Sequence, residues 1–166
     1  NTTEFTNDYR LDAHFYNTMA DLVVKNIKKY TKDYKKLNEN IADKVFYLNR
    51  FARTFVTKDY GIPYLAGKDI IKIRPTDVSY LSQSETYGLE DYKLTKGWIL
   101  MTCSGTLGRT CYIWNNYENW VGTHDLIRIV CNENFDSGYL YAFLSSDYGY
   151  YQAIRYKHGS VIDHLT

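Results

Sequence analysis

Cysteine is scarce in this chain, with three among 166 residues: Cys103, Cys111 and Cys131. An odd number without any Cys-x-x-Cys spacing argues against both a disulfide framework and a cysteine-based zinc site. We therefore expect three reduced cysteines that pack in the core. The histidines also lack the spacing of metal ligands, and we expect neither a metal nor another cofactor. They are His14, His124, His158 and His164.

Long apolar runs are missing as well. No stretch approaches the roughly 20 residues that cross a bilayer, and the N-terminus has no apolar signal-peptide segment. These two absences predict a cytoplasmic protein with no membrane partner. The chain begins with Asn1 instead of methionine, which suggests a piece of a longer protein.

Proline is rare, and the lack of adjacent prolines argues against one class of enzyme. A DNA amino-methyltransferase needs an Asp/Asn-Pro-Pro-Tyr loop, whereas Pro63 and Pro75 are isolated. A nuclease of the Asp...Asp/Glu-x-Lys type could use Asp91-Tyr-Lys93 or Asp33-Tyr-Lys35, but such triplets arise often by chance in a charged chain. We expect no catalytic residues.

An overall excess of charge is missing too, since the net charge is only +1. Its distribution is uneven: residues 1–83 carry +4 and residues 84–166 carry −3. Residues 44–74 have a local charge of +5, from Lys44, Arg50, Arg53, Lys58, Lys68, Lys72 and Arg74 against Asp59 and Asp69. Aromatic residues alternate with these cations, and the mixture favours contacts with phosphate.

Residues 25–36 form a second basic stretch, with six lysines. Met19, Leu22, Val23 and Ile27 precede or accompany it at helical spacing. The simplest interpretation places these lysines on the solvated face and C-terminal end of an amphipathic helix.

The elements that we predict alternate between helix and strand. A helix is expected from Asn17 to Lys29 and another from Gly138 to about Arg155, with Ser137 as N-cap. The clearest strands are residues 98–103, 109–114 and 120–130, and the first two form a hairpin whose turn needs positive φ at Gly105 and Gly108. Shorter strand fragments are expected at 45–48, 62–65, 70–73 and 78–81.

Several short segments in fixed order resemble one family. They are RLDAHFY (10–16), RFARTFV (50–56), GIPYL (61–65) with KDI (68–70), GWILMTCSGTLGRTCYIW (97–114), THDLIR (123–128), YLYAFLSS (139–146) with Gly149, and GSVI (159–162). Together they resemble the target recognition domain of Type I restriction-modification specificity (S) subunits. The resemblance covers nearly the whole chain, and no single motif carries it.

The resemblance implies an α+β fold: one recognition domain spanning residues 1–166, with a twisted, mostly antiparallel β-sheet and an N-terminal and a C-terminal helix packed on it. It also implies a non-catalytic reader of one half of a bipartite double-stranded DNA target, which directs methyltransferase and restriction subunits. The long spacer helices of the family are missing here. Two alternatives stay open: the recognition domain of a fused Type II restriction-methyltransferase, and a tyrosine-rich domain that binds protein or carbohydrate.

Candidate DNA contacts follow from the basic residues and the loops. We expect Arg50, Arg53, Lys58 and Lys68 near phosphates, where each would strengthen binding to all sequences alike. The loop from Arg74 to Tyr87 could offer Arg74 or Gln83 to base edges, which need fixed geometry. Further candidates are Arg109, Lys157 and His158. Ordinary solvated turn and helix-end residues are the alternative interpretation for this last set and for the loop.

Overall fold

The computed structural model describes residues 13–16, 18–158 and 164–165. In this part of the chain the α-helices are α1 (Thr18–Tyr30), α2 (Ser137–Ser145) and α3 (Asp147–Ile154). The strands are β1 (Ala42–Phe46), β2 (Phe55–Val56), β3 (Gly61–Leu65), β4 (Ser79–Ser82), β5 (Ile99–Thr102), β6 (Thr110–Tyr112), β7 (Val121–Gly122) and β8 (Leu126–Cys131). Short 3-10 helices span Ala13–Tyr16, Lys58–Tyr60, Leu89–Tyr92 and Asn115–Tyr117.

The strands form two four-stranded sheets. Sheet A has the order β1-β8-β5-β6 and is antiparallel throughout, with a bulge in β1 between Ala42 and Lys44. Sheet B has the order β2-β4-β3-β7, and its β3–β7 pair is parallel. The predicted α+β class and mostly antiparallel pairing are confirmed, with the strands divided between two sheets.

Strand β5 lies at the centre of the molecule because both of its faces are buried. Ile99 and Met101 pack in one cluster with Leu140 and Leu144 of α2. Leu100, which points to the opposite face, packs in another cluster with residues of both sheets, Leu65, Ile113 and Leu126 among them. A strand buried on both faces reads as a continuous apolar run, as ILMT does here.

The predicted hairpin is confirmed as the β5–β6 pair. Gly105 and Gly108 have φ values of 72° and 75°, a region that residues with a Cβ rarely adopt. A Cβ at Gly108 would also lie 2.9 Å from the Tyr150 ring of α3. The turn therefore needs glycine at Gly108 both for its backbone and for close packing against the C-terminal helices.

Two strand predictions are wrong in instructive ways. The predicted strand 120–130 is interrupted by a turn at residues 123–125, where the chain passes from sheet B to sheet A. Residues 70–73 form no strand. The Asp69 amide donates to the Ala66 carbonyl and the Lys72 amide to the Asp69 carbonyl, which closes two successive turns. The Tyr117 hydroxyl donates to the carbonyls of Lys72 and Ile73 at 3.1 and 2.7 Å. Strand β2 was not predicted.

The C-terminal helix is also divided. Ser146 adopts an extended backbone (φ −80°, ψ 167°) between α2 and α3. The two helices pack closely there, since a Cβ at Gly149 would lie 2.6 Å from the carbonyl oxygen of Phe143. Asp136, not Ser137, is the N-cap of α2, since its carboxylate accepts from the Tyr139 amide at 2.7 Å.

The N-terminal helix is confirmed from Thr18 onward. It lies against α3, where Arg155 donates to Asp21 at 2.9 Å. Its buried side chains are Ala20 and Val23, whereas Met19 and Leu22 are 42% and 49% exposed, contrary to the predicted apolar face. Asn17, the segment before Ala13 and the GSVI motif lie outside the described residues.

All three cysteines are free thiols, and Cys103 and Cys111 belong to the buried clusters as expected. Burial raises the pKa of each of these two thiols to about 11. Cys131 is only half-buried at the end of β8.

Candidate nucleic-acid interface

Residues 47–54, which we call the arginine loop, join sheet A to sheet B. Phe46, the last residue of β1, is paired with Arg128, and β8 begins directly after the turn 123–125. Thr102 is paired with Leu126, so the hairpin turn 103–109 starts beside the same turn. The registers therefore place three connections at one end of sheet A: the arginine loop, the hairpin turn and the turn 123–125.

Tertiary contacts hold the arginine loop in place. The Tyr92 hydroxyl donates to the carbonyl of Asn49 at 2.7 Å. The Phe51 ring packs on the Tyr92 ring with centroids 4.1 Å apart and meets His124 edge-on at 6.5 Å. These contacts come from segments distant in sequence, so the loop has a defined shape although it has no regular secondary structure.

The Arg53 side chain is fixed within this loop. One guanidinium nitrogen donates to the Tyr64 hydroxyl at 2.8 Å, and the group lies 5.8 Å from the Tyr64 ring centroid. The Phe55 ring also contacts the Tyr64 ring, edge-on, with centroids 5.9 Å apart. A guanidinium has five N–H donors in a rigid fork, so donors remain for a ligand after this bond forms.

An open depression of about 510 Å³ lies over these side chains. Arg50, Phe51, Ala52, Arg53 and Phe55 line it, and Arg50 is exposed. Cations combined with aromatic rings at an open surface suit a ligand that carries both negative charge and flat rings.

His124 belongs to the same electrostatic neighbourhood. Its Nε2 atom lies 3.4 Å from the Asp125 carboxylate. Burial lowers the pKa of His124, Asp125 opposes this, and the charges of Arg53, Arg50 and Arg128 lower it further. The positive potential of the arginine loop thus extends to the turn 123–125.

Arg128 supports this turn from inside the protein. Its side chain is fully buried, and its guanidinium donates to the carbonyls of Leu126, Gly122 and Thr123 at 2.9, 3.3 and 3.3 Å. Burial lowers the pKa of Arg128 to about 10. Sequence reasoning missed this residue, although a charge between Ile127 and Ile129 of an apolar strand was a visible signal.

Two other predicted residues lie near the arginine loop. Gln83 is exposed and follows Ser82, whose amide donates to the Thr54 carbonyl at 2.9 Å. Lys58 is exposed in the short 3-10 helix that connects β2 to β3. Both can therefore reach a ligand that lies over strand β2 at the edge of sheet B.

Lys68 and Arg74 lie in the connection between β3 and β4, which begins beside the turn 123–125, since the Thr123 amide donates to the Leu65 carbonyl at 3.0 Å. Tyr117 fastens this connection through the carbonyls of Lys72 and Ile73, and the charge of Arg74 acts on the Tyr117 hydroxyl. The candidates of the predicted basic stretch thus lie in three successive connections: Arg50 and Arg53 between β1 and β2, Lys58 between β2 and β3, and Lys68 and Arg74 between β3 and β4.

Arg109, Lys157 and His158 form a third group at the hairpin turn. Arg109 is half-buried, and its backbone is bonded twice to Thr102, through the Thr102 hydroxyl and amide. His158 follows α3 and pairs with His164, which itself pairs with Ser104 of the turn. This group lies at the same end of sheet A as the arginine loop.

Within residues 13–16, 18–158 and 164–165, nowhere do three metal-ligating side chains come together. The same residues contain no helix with the length and apolar character that a membrane crossing requires.

Comparisons with known proteins found similarity among solved structures only. No protein-family model matches the sequence, and no curated protein matches it. Among solved structures, the chain is similar to the S subunit of a Type I restriction-modification system from M. genitalium, with a TM-score of 0.41 and 15% sequence identity. The similarity covers 80% of this chain and 33% of that subunit, so this chain spans about a third of the S subunit's length.

Proposed function

We propose that this chain is a target recognition domain of a Type I restriction-modification specificity subunit. In this role residues 1–166 form a single domain that reads one half of a bipartite DNA target and does no chemistry itself. Methyltransferase and restriction subunits, bound through regions mostly missing from this chain, would act where the domain binds. The setting would be the cytoplasm, and no cofactor is needed.

One observation carries the proposal: the sequence segments that resemble this family contact one another around the arginine loop. Arg53 of RFARTFV bonds to Tyr64 of GIPYL. Phe51 of the same segment contacts His124 of THDLIR. The Cys103 amide in the hairpin donates to the carbonyl of Asp125 at 3.1 Å. Segments far apart in sequence thus build one positively charged surface.

The proposed contacts divide into two kinds. Arg50 and Lys58 are exposed and would contact phosphates, which set position but carry no sequence information. The Arg53 guanidinium is held by Tyr64, and a guanidinium in a fixed position can pair with the O6 and N7 atoms of guanine. We therefore assign Arg53 to a base edge instead of a phosphate. Gln83 is the second candidate for a base edge.

The remaining candidates fit weaker roles. Arg109, Lys157 and His158 would contact phosphates from the hairpin side of the same end. Lys68 and Arg74 would contact the duplex only where it passes the connection between β3 and β4.

The test is selection from a randomised duplex pool, followed by anisotropy binding at several salt concentrations. We expect the wild type to enrich a short motif. The Arg50→Ala/Arg53→Ala variant should lose this preference, and its salt dependence should fall by up to about two units of slope, nearer one if Arg53 reads a base.

Two control variants separate charge from geometry. Arg50→Lys/Arg53→Lys keeps the charge, and should keep most of the affinity while losing sequence preference. Lys96→Ala removes an exposed charge before β5, at the other end of that strand, and should bind as the wild type does. Absence of binding to any duplex at low salt, with the partner subunits and spacer helices supplied, would exclude DNA and favour the protein- or carbohydrate-binding alternative.

A further inference from the structure

A second positively charged surface lies away from the arginine loop. Residues 25–36, which we call the lysine segment, comprise the end of α1 and the chain after it. All six lysines are exposed, and Asp33 is the single acid, so the segment carries +5: Lys25, Lys28, Lys29, Lys32, Lys35 and Lys36.

These charges have no compensating partner within the described residues. None of the six ammonium groups forms an ion pair with a carboxylate there. Glu39 accepts from the backbone amide of Lys36, not from its side chain. The neighbours that two of them do have are exposed rings: Lys29 lies 5.3 Å from the centroid of Tyr30, and Lys28 lies 5.7 Å from that of Tyr34.

The stability of α1 does not explain this arrangement. Lys28 and Lys29 lie in the last turn, where the helix dipole favours cations. Lys25 is three and four residues before them, however, and like charges at this spacing destabilise a helix. Lys32, Lys35 and Lys36 follow the end of the helix at Tyr30 and gain little from its dipole.

The segment leads to the far end of sheet A. Ala42 at the start of β1 pairs with Cys131, and the Ile41 carbonyl accepts from the Asn132 amide. The arginine loop follows the opposite end of β1, which at about 3.3 Å per residue is roughly 15 Å away. The lysine segment and the arginine loop therefore join opposite ends of β1.

We propose that the lysine segment binds the sugar-phosphate backbone of duplex DNA outside the stretch covered by the arginine loop. The inference rests on the proposed function, because that function already brings a duplex to this domain. Charge complementarity favours a duplex over an acidic protein: flexible lysines act as point charges and can follow a regular array of phosphates without a fixed register. The exposed faces of Tyr30 and Tyr34 can pack against the sugars.

The experiment compares the wild type with Lys28→Gln/Lys29→Gln/Lys32→Gln, since glutamine preserves helix propensity. Both proteins are titrated with a 30-base-pair duplex containing the selected half-site and with a scrambled duplex of the same length. We expect the variant to bind both duplexes more weakly by the same factor, on the order of tenfold to a hundredfold, and its salt slope to fall by about three units. The ratio of the two affinities should stay unchanged.

Asp33→Asn is the matched variant of opposite sign. It adds one unit of positive charge to the segment and should strengthen binding to both duplexes. If the triple variant lowers the midpoint of thermal unfolding and leaves both affinities unchanged, the lysines act only on α1 and the proposal is wrong. If the wild type itself binds neither duplex, the proposed function fails, which is a distinct outcome.

Discussion

The arginine loop and the lysine segment are both strongly basic, but they differ in how their charges are held. Arg53 is bonded to Tyr64 and lines an open depression with Phe51 and Phe55, and Tyr92 holds the backbone of the same loop at Asn49. The lysines extend from a helix end and have only ring neighbours. A fixed guanidinium keeps its donors in a defined geometry, whereas a solvated ammonium group moves freely.

This difference separates two tasks that a DNA reader has. Discrimination between bases needs donors that are in place before binding, because a misplaced donor loses the bond that distinguishes one base from another. Affinity that is independent of sequence needs only charge near phosphates. Two regions of equal charge are therefore expected to have different roles, because their side chains are held differently.

Removing Arg128, the buried support of the turn 123–125, should have the largest effect. Arg128→Ala removes a donor from the carbonyls of Gly122, Thr123 and Leu126, and we expect the free energy of unfolding to fall by about 3 kcal/mol. Lys29→Gln, an exposed cation, should change it by less than about 0.5 kcal/mol. Urea unfolding of both variants measures this difference, and equal losses would contradict the structural role of Arg128.

Exchanging the type of cation should sharpen the comparison further. Arg53→Lys keeps the charge but replaces the planar guanidinium with an ammonium group. An ammonium group cannot bind the Tyr64 hydroxyl and a base edge in one fixed plane, so discrimination between the two duplexes should fall by about 1–3 kcal/mol. Lys29→Arg should leave discrimination unchanged. The measurement is the ratio of affinities for the selected and scrambled duplexes; a larger effect at Lys29 than at Arg53 would reverse the assignment of roles.

The smallest expected effect concerns His124. Its pKa lies below the ordinary 6.5, mainly through burial and further through Arg53, Arg50 and Arg128, while Asp125 opposes the shift. The unfolded chain thus binds this proton more readily, so the stability from neutral His124 is complete above pH 6.5 and is lost as the pH falls through the folded pKa.

An NMR titration tests which basic region acts on this histidine. Arg53→Ala should raise the pKa of His124 toward its ordinary value, because one of the charges that lower it is gone. Lys29→Gln should leave the pKa where it is. A pKa that responds to Lys29 and not to Arg53 would show that the lysine segment, not the arginine loop, controls the potential at the turn 123–125.

The sequence pattern predicted those elements that depend on residues close together in the chain. The β5–β6 hairpin follows from alternation and from two glycines with positive φ, and α1 follows from helical spacing. The same reasoning failed where a distant residue decides. Residues 70–73 have the apolar content of a strand, but Tyr117 binds their carbonyls and holds them in turns.

The candidate site shows the same division. Arg50, Arg53 and Gln83 were identified from charge and loop position, and the structure places all three near strand β2. Lys68 and Arg74, chosen by the same reasoning, lie in a different connection, between β3 and β4, which Tyr117 holds through the carbonyls of Lys72 and Ile73. A charge within an apolar strand marked Arg128 as unusual, but its role was missed because its partners are backbone carbonyls, which a sequence does not identify.

The sequence by itself determined the hairpin with its glycines, the burial of Cys103 and Cys111, and the location of positive charge along the chain. These properties depend on backbone preference and on side-chain polarity, both of which are local. Only the tertiary structure decided that residues 120–130 divide between two sheets, that Arg53 is fixed while the lysines are not, and that the two basic regions lie at opposite ends of β1. Strand partners and side-chain partners are contacts between distant segments, and they depend on how the whole chain packs.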